Sequence, residues 1–314
     1  MTIIGPLSSS RINPTSPLIE YTGFSGLNIT TVRARPIRPV TFTNGLEYSA
    51  PGARIRFRTE SPTITFHLSN NGLMTNSLSN LIFTLLVNDE VYADYNSPND
   101  IIIDFANVIM RKIELVFPYG AGYDFLGLSY NPIYSTLPFL PRRKLICAGD
   151  SITQGAFATM TRSSWTYILA NLNNLELFNM GFSGGVVSTL GDGSWAQNLQ
   201  PNIITLLTHN DFNQQVPIET YKTNCTSLIT KWLTTTNAQI YAITALWTST
   251  SLSIPSSLYR IALSEVVTSF ASNRVILIDG LSLAINSTVH FPDGVHPNDA
   301  GSMAIASSLN KIIN

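Results

Sequence analysis

Moving a proton off an alcohol at neutral pH takes a hydroxyl, an imidazole to receive the proton and a carboxylate to steady the imidazole. The chain offers each of these in a suggestive setting. Ser151 lies in Lys144 to Gly155, Lys-Leu-Ile-Cys-Ala-Gly-Asp-Ser-Ile-Thr-Gln-Gly, which reads as a buried strand ending in a Gly-Asp-Ser turn. A serine at the carboxyl end of a strand, just before a helix, presents its hydroxyl and its own N–H at the rim of a sheet, where acyl chemistry is served. His296 can take the serine proton and return it to a leaving group, and Asp293, three residues earlier, is one turn away from the far imidazole nitrogen. An oxyanion would need donors, and three candidates fall at strand ends: the Ser151 N–H, a glycine N–H at Gly184 with Gly181 competing, and the Asn210 side-chain amide. Taken singly, each has a plain alternative. Gly-Asp-Ser can be a capped turn, Asp293 to Pro297 a helix start, and Asn210 an Asx turn. The successive order of all of them favours the chemical reading.

The elements that must position these residues alternate from about residue 140 onward. Strands are expected at 144–148, 176–180, 202–208, 239–246 and 274–278. Helices are expected at about 164–172, 194–199, 218–235, 256–272 and 298–313. That alternation implies a parallel sheet covered on both faces, with its site in the crevice outside the carboxyl ends of the strands. Before residue 140 the texture is different. Arg54, Arg56 and Arg58 alternate with Ile55 and Phe57, Thr63 to Leu68 alternates in the same way, and strand-like runs follow at 81–87, 91–95, 101–105 and 113–117. Shorter pieces precede them at Ile19 to Tyr21 and Val40 to Phe42. Such spacing argues for a β-sandwich or jelly roll, with the arginine stripe read as a solvated strand face. Pro132, Pro138 and Pro141 mark Tyr130 to Arg143 as a stiff linker, which puts an accessory domain at 1–140 and a second domain at 141–314.

Composition narrows the partners. With 18 basic and 19 acidic residues and a net charge of −1, no electrostatic footprint for nucleic acid is expected. No apolar run is long enough for membrane insertion, and Met1 to Pro14 lacks the basic start and apolar core of an export signal. Few lysines and many Asn, Thr and Ser residues suit an extracellular or virion-borne protein. Cys147 and Cys225 are too few for a disulfide scaffold, and Cys147, inside the apolar run, reads as a buried thiol. Four histidines, His67, His209, His290 and His296, offer no pair at metal-ligand spacing, so no metal is expected. Of the tryptophans that could border the crevice, Trp165 opens an apolar helix face and is expected in the core. Trp195, in the loop-like Leu190-Gly-Asp-Gly-Ser-Trp195, is the candidate sugar platform, and Trp247 is the third.

Gly149-Asp150-Ser151, Asn179-Met-Gly-Phe-Ser-Gly184, Asn210 in His-Asn-Asp, and Asp293-Gly-Val-His296 resemble, in order, the four blocks of the SGNH (GDSL-type) hydrolases. The resemblance covers residues 140 to 314. It implies a flavodoxin-like three-layer α/β fold and a Ser-His-Asp esterase without metal or organic cofactor. In this sequence it makes Ser151 the nucleophile, Asp293 and His296 its partners, and Ser151, Gly184 and Asn210 the oxyanion hole. One departure stands out: the family usually has glycine two residues before the asparagine, where this chain has Thr208, and a larger side chain there is expected to tilt the loop. The two-part layout is similar to two-domain carbohydrate esterases that remove acetyl groups from polysaccharides, which implies an acetylated carbohydrate substrate. A lipid or simple-ester hydrolase, and a catalytically silent glycan-binding module, remain the alternatives.

Overall fold

The computed structural model describes residues 10–39, 49–70, 81–96, 98–119, 122–131, 136–137 and 142–313. The chain divides into two compact units, one formed by residues before Arg142 and the other by Arg142 onward with a short segment beginning at Pro39.

The first unit holds two antiparallel sheets among its described residues. One runs Leu27–Ile29, Ala34–Pro36, Tyr123–Tyr130, Thr63–Asn70, Asp100–Asp104, with Ser10–Ile12 also paired to Tyr123–Tyr130. The other runs Thr136–Leu137, Arg54–Thr59, Arg111–Val116, Ile82–Val87, Glu90–Asn96, with Glu20–Thr22 also against Arg54–Thr59. The alternation in Thr63–Asn70 sends Ile64, Phe66 and Leu68 inward, and they share one core with Ile55 and Phe57 of the other sheet. The Phe57 and Phe66 rings lie 5.8 Å apart, centre to centre. Val40 to Phe42 and the three linker prolines lie outside the described residues.

The arginine stripe is not a solvated face. Arg54 and Arg56 are buried, and each meets a carboxylate at 2.8 Å: Arg54 meets Glu114 and Arg56 meets Glu20. Their strand is interior to its sheet, and Glu20 and Glu114 occupy the rungs on either side of Arg56. Opposite charges on neighbouring strands at one level pair across the ladder, and a buried guanidinium is tolerable only with such partners.

In the second unit five parallel strands stand in the order Glu176–Gly181, Lys144–Gly149, Ile203–Leu207, Gln239–Ile243, Val275–Ile278. Numbered along the chain this is 2-1-3-4-5, a doubly wound sheet that reverses direction between its first and third strands. Helix Trp165–Leu172 packs on Asp299–Asn310, and Ile218–Thr235 packs on Ser256–Ser269. Right-handed crossovers require this division of helices. The central strands are mostly apolar, as strands buried on both faces are: Leu145, Ile146, Cys147 and Ala148 are all fully enclosed, and Thr205 is the buried polar exception in Ile203–Leu207. Burial pushes the Cys147 thiol up to about 12, so it is an inert core residue. Trp165 is likewise buried, and its indole N–H donates to Ile152 O at 3.0 Å.

Candidate active site

Strand Lys144–Gly149 ends at Gly149, and Asp150 caps a one-turn helix, Ser151–Gln154, by accepting the Ile152 N–H on Oδ1 at 2.9 Å. Such a cap stabilises a helix start by about 1 kcal/mol. This helix lies so close over the neighbouring strand that any side chain at Gly181 would overlap the Gln154 backbone, so glycine is required there. The other Asp150 oxygen accepts the backbone N–H of Asn210 at 2.7 Å. Asn210 opens a second one-turn helix, Asn210–Asn213, just beyond strand Ile203–Leu207. The two turns flank the point where the sheet reverses its strand order, the usual place for a ligand crevice.

On the far side of the chain, Asp293 receives the backbone N–H groups of Val295 and His296 on Oδ1, at 2.9 and 2.7 Å. Its Oδ2 lies 2.7 Å from His296 Nδ1, and His296 Nε2 lies 2.8 Å from Ser151 Oγ. A carboxylate can only accept, so Nδ1 carries the proton and Nε2 is left to accept from the serine hydroxyl. Burial acts to raise the Asp293 pKa, but the side-chain and backbone bonds from His296 outweigh it and hold the carboxyl below its ordinary value. Asp293 is therefore held as the anion.

The loop after strand Glu176–Gly181 shows where an unspent donor remains. Gly181 donates to Asn179 Oδ1, Phe182 to Gly149 O, Ser183 to Gln154 Oε1, Gly185 to Phe182 O, Val186 to Thr189 Oγ1 and Val187 to Asp211 Oδ2, at 2.6–3.0 Å. Within this run of described residues, Gly184 alone has an N–H without an acceptor. Gly184 is exposed, its φ of +77 suits glycine, and a Cβ there would meet open space. Gly181, the competing donor, is already committed. Asn210 directs one amide hydrogen of Nδ2 to Gly185 O at 3.0 Å, which leaves its second for the crevice. Thr208 does not displace it: the hydroxyl turns away to Tyr221 OH, 2.7 Å distant.

Trp195 does not border the crevice. It is 6% exposed, its indole N–H donates to Leu190 O at 2.9 Å, and its ring meets Trp232 edge to face in the core. The loop-like sequence before it folds back so that the ring fills the space beneath helix Ile218–Thr235. Trp247 is placed differently. It follows strand Gln239–Ile243, is half-buried, and leans on Phe291 with ring centres 5.7 Å apart. Its loop is tied to the histidine loop through Ser249 N–H to Gly294 O at 3.0 Å.

Several residues that were assigned no role in the sequence support the site. Asp150 and Asp211 are buried carboxyls: burial pushes Asp150 up to about 6 and Asp211 to about 7, against the N–H groups that bond them. His209 is wholly enclosed, neither ring nitrogen has a hydrogen-bond partner, and burial lowers its pKa to about 3, so it stays neutral. Gln154 anchors Ser183, and Phe157 lies flat against the His296 ring. Among the described residues no three His, Cys, Asp or Glu side chains gather as metal ligands, and no helix is long and apolar enough to cross a membrane.

A model of the GDSL-like lipase/acylhydrolase family matches residues 147–304, half of the chain, and that span includes Ser151, Gly184, Asn210, Asp293 and His296. The chain belongs to this family. No curated protein sequence matches it. Solved structures resemble this GDSL-like hydrolase along nearly its whole length. A salicylyl-acyltransferase from a tetracycline biosynthetic pathway is 16% identical with a TM-score of 0.79, covering 96% of each chain. A family two carbohydrate esterase from Cellvibrio japonicus is 15% identical with a TM-score of 0.68, covering 98% of this chain and 97% of its own. Another, from Clostridium thermocellum in complex with cellohexaose, is 14% identical with a TM-score of 0.68, covering 94% and 98%. At such identities the likeness is one of fold.

Proposed function

We propose that the protein is a serine esterase that removes acetyl or other short acyl groups from carbohydrate. The observation that carries this reading is the unbroken relay from Ser151 Oγ through His296 to Asp293, set at the carboxyl end of a parallel sheet. As Ser151 Oγ bonds to the acyl carbon, its proton passes to His296 Nε2, and the imidazolium is steadied by the Asp293 anion. The oxygen of the former carbonyl becomes an oxyanion, met by the N–H groups of Ser151 and Gly184 and the amide of Asn210. His296 then gives its proton to the departing sugar hydroxyl. Water attacks the acyl-serine through the same base, releasing the acid and restoring Ser151.

Carbohydrate is favoured over lipid by two considerations. The fold is shared along its length with family two carbohydrate esterases, one of them holding cellohexaose. A half-buried indole at Trp247 supplies the flat apolar surface against which a sugar ring packs. We read the two antiparallel sheets of the first unit as a jelly-roll-like β-sandwich accessory domain ending near residue 140 and followed by the catalytic domain.

The test is acetate release from a panel of acetylated mono- and polysaccharides beside long-chain acyl esters, with Ser151→Ala as the blank. Release of acetate from sugars, reduced by several orders of magnitude in the folded Ser151→Ala variant, is the expected result. Preference for long acyl chains would reassign the substrate to lipid. Sugar binding without turnover would make the domain a silent module, and more than a few per cent of activity left in Ser151→Ala would remove the serine from the mechanism.

A further inference from the structure

Phe157 is held in an unusual backbone state. Its φ is +68, a region where a bulky side chain is sterically disfavoured, and such outliers persist only where surrounding structure over-determines them. The surroundings do so here. Gly155 and Ala156 both return their N–H groups to Ser151 O, at 3.1 and 2.9 Å, closing the turn after the serine helix. Two residues past Phe157, Thr159 is gripped twice by Asp299, with N–H to Oδ1 at 2.8 Å and Oγ1 to Oδ2 at 2.6 Å. Asp299 opens the helix that follows the His296 loop, so the segment bearing Phe157 is clamped at one end to the serine and at the other to the histidine side. The result is a phenyl ring parallel to the His296 imidazole, with 1° between planes and 5.2 Å between centres.

We propose that Phe157 is a positioning residue for His296, fixing the plane of the imidazole so that Nε2 stays aimed at Ser151 and stabilising the imidazolium through its π face. The proposal rests on the reading of His296 as the base. A neutral imidazole gains only stacking from the ring. Once the Ser151 proton has arrived, the cation gains an electrostatic attraction to the ring as well, so the contact strengthens along the reaction coordinate. The charged and titratable groups around the imidazole are Asp293 on its own loop, Asp150 at the serine turn and His209 beyond strand Ile203–Leu207. A substitution at Phe157 alters none of them.

The experiment compares Phe157→Leu, which fills the space without a π face, with Phe157→Tyr, which keeps one. Kcat and the pH dependence of kcat/KM are read on an acetylated sugar, with thermal melts to verify folding. Phe157→Leu should lower kcat about 3- to 10-fold and move the acid-limb midpoint about half a pH unit downward, because the imidazolium has lost a stabilising partner. Phe157→Tyr should recover both. Should Leu not fold at this backbone angle, Phe157→Gly suits it and must show the same loss of kcat. A folded Leu or Gly variant with unchanged kcat, a Leu variant with reduced kcat but an unmoved midpoint, or a Tyr variant that recovers neither property would overturn the proposal. If Ser151→Ala retains activity, the reading of the site fails instead, and the two failures are thereby distinguished.

Discussion

Asp150 Oδ2 accepts the backbone N–H of Asn210 at 2.7 Å, so a single buried carboxyl fastens the turn that presents Ser151 to the turn that presents Asn210. Asp150→Ala leaves two N–H groups without their acceptor, a loss of about 2–6 kcal/mol at about 1–3 kcal/mol per orphaned buried donor. If the Ser151 N–H and the Asn210 amide are the oxyanion donors proposed above, it should also separate them, lowering kcat at least tenfold with little change in KM. Melting and steady-state kinetics on the same preparation check this. A lower melting temperature with unchanged kcat would mean that the bond holds the fold but not the site.

If the Asn210 amide meets the oxyanion, Asn210→Ala should reduce kcat by about 10²–10³ and leave KM nearly alone, because that bond strengthens only as negative charge develops. Asn210→Asp sharpens the comparison, since a carboxylate facing an oxyanion is repulsive. Near-normal kcat in a folded Asn210→Asp enzyme would remove this residue from the hole.

Asp211 holds the Gly184 loop through the Val187 N–H, at 2.9 Å, and its pKa is raised to about 7 chiefly by burial. A carboxyl raised in the folded state contributes stability that is fully present below its unfolded value near 4 and is lost as pH rises through 7. Asp150, raised to about 6, adds to this loss and His209, lowered to about 3, opposes it, so between pH 5 and pH 8 the Asp211 share of the fall in melting temperature is the difference from a variant without the charge. Asp211→Asn keeps an acceptor for Val187 without the charge, so the fall should be smaller. Melts of both proteins across that range decide the matter, and identical slopes would refute the assignment.

The tryptophans should separate cleanly. Trp195→Ala empties a core position and should destabilise by about 3–5 kcal/mol. Trp247→Ala should raise KM for an acetylated polysaccharide while sparing a small activated ester. Equal effects of Trp247→Ala on both substrates would deny it a sugar contact.

Much of this architecture was legible in the sequence because its signals are local. Apolar runs of five or six residues separated by helical lengths announce a parallel sheet, and the five strands fall within a few residues of their expected bounds. The residues read as Ser, His, Asp, Gly and Asn of the site come together at one end of that sheet. Illegible features are those decided by distant neighbours. The one-turn helices Ser151–Gln154 and Asn210–Asn213 are too short to show a period. Arg56 looked solvated because only the sheet order brings Glu20 and Glu114 beside it. Trp195 sits in a glycine-rich segment that resembles a surface loop, yet the partners that enclose it come from helix Ile218–Thr235. Phe157 owes its place to Asp299, 142 positions later and invisible from its own surroundings.

The 145 positions between Ser151 and His296 have a consequence for biosynthesis. At about 5–20 residues per second, a ribosome delivers the serine roughly 7–30 s before its histidine. Throughout that interval the hydroxyl has no base and is no more reactive than any other serine. On the proposed mechanism the nascent chain therefore cannot attack acylated molecules until the loop bearing Asp293 and His296 docks.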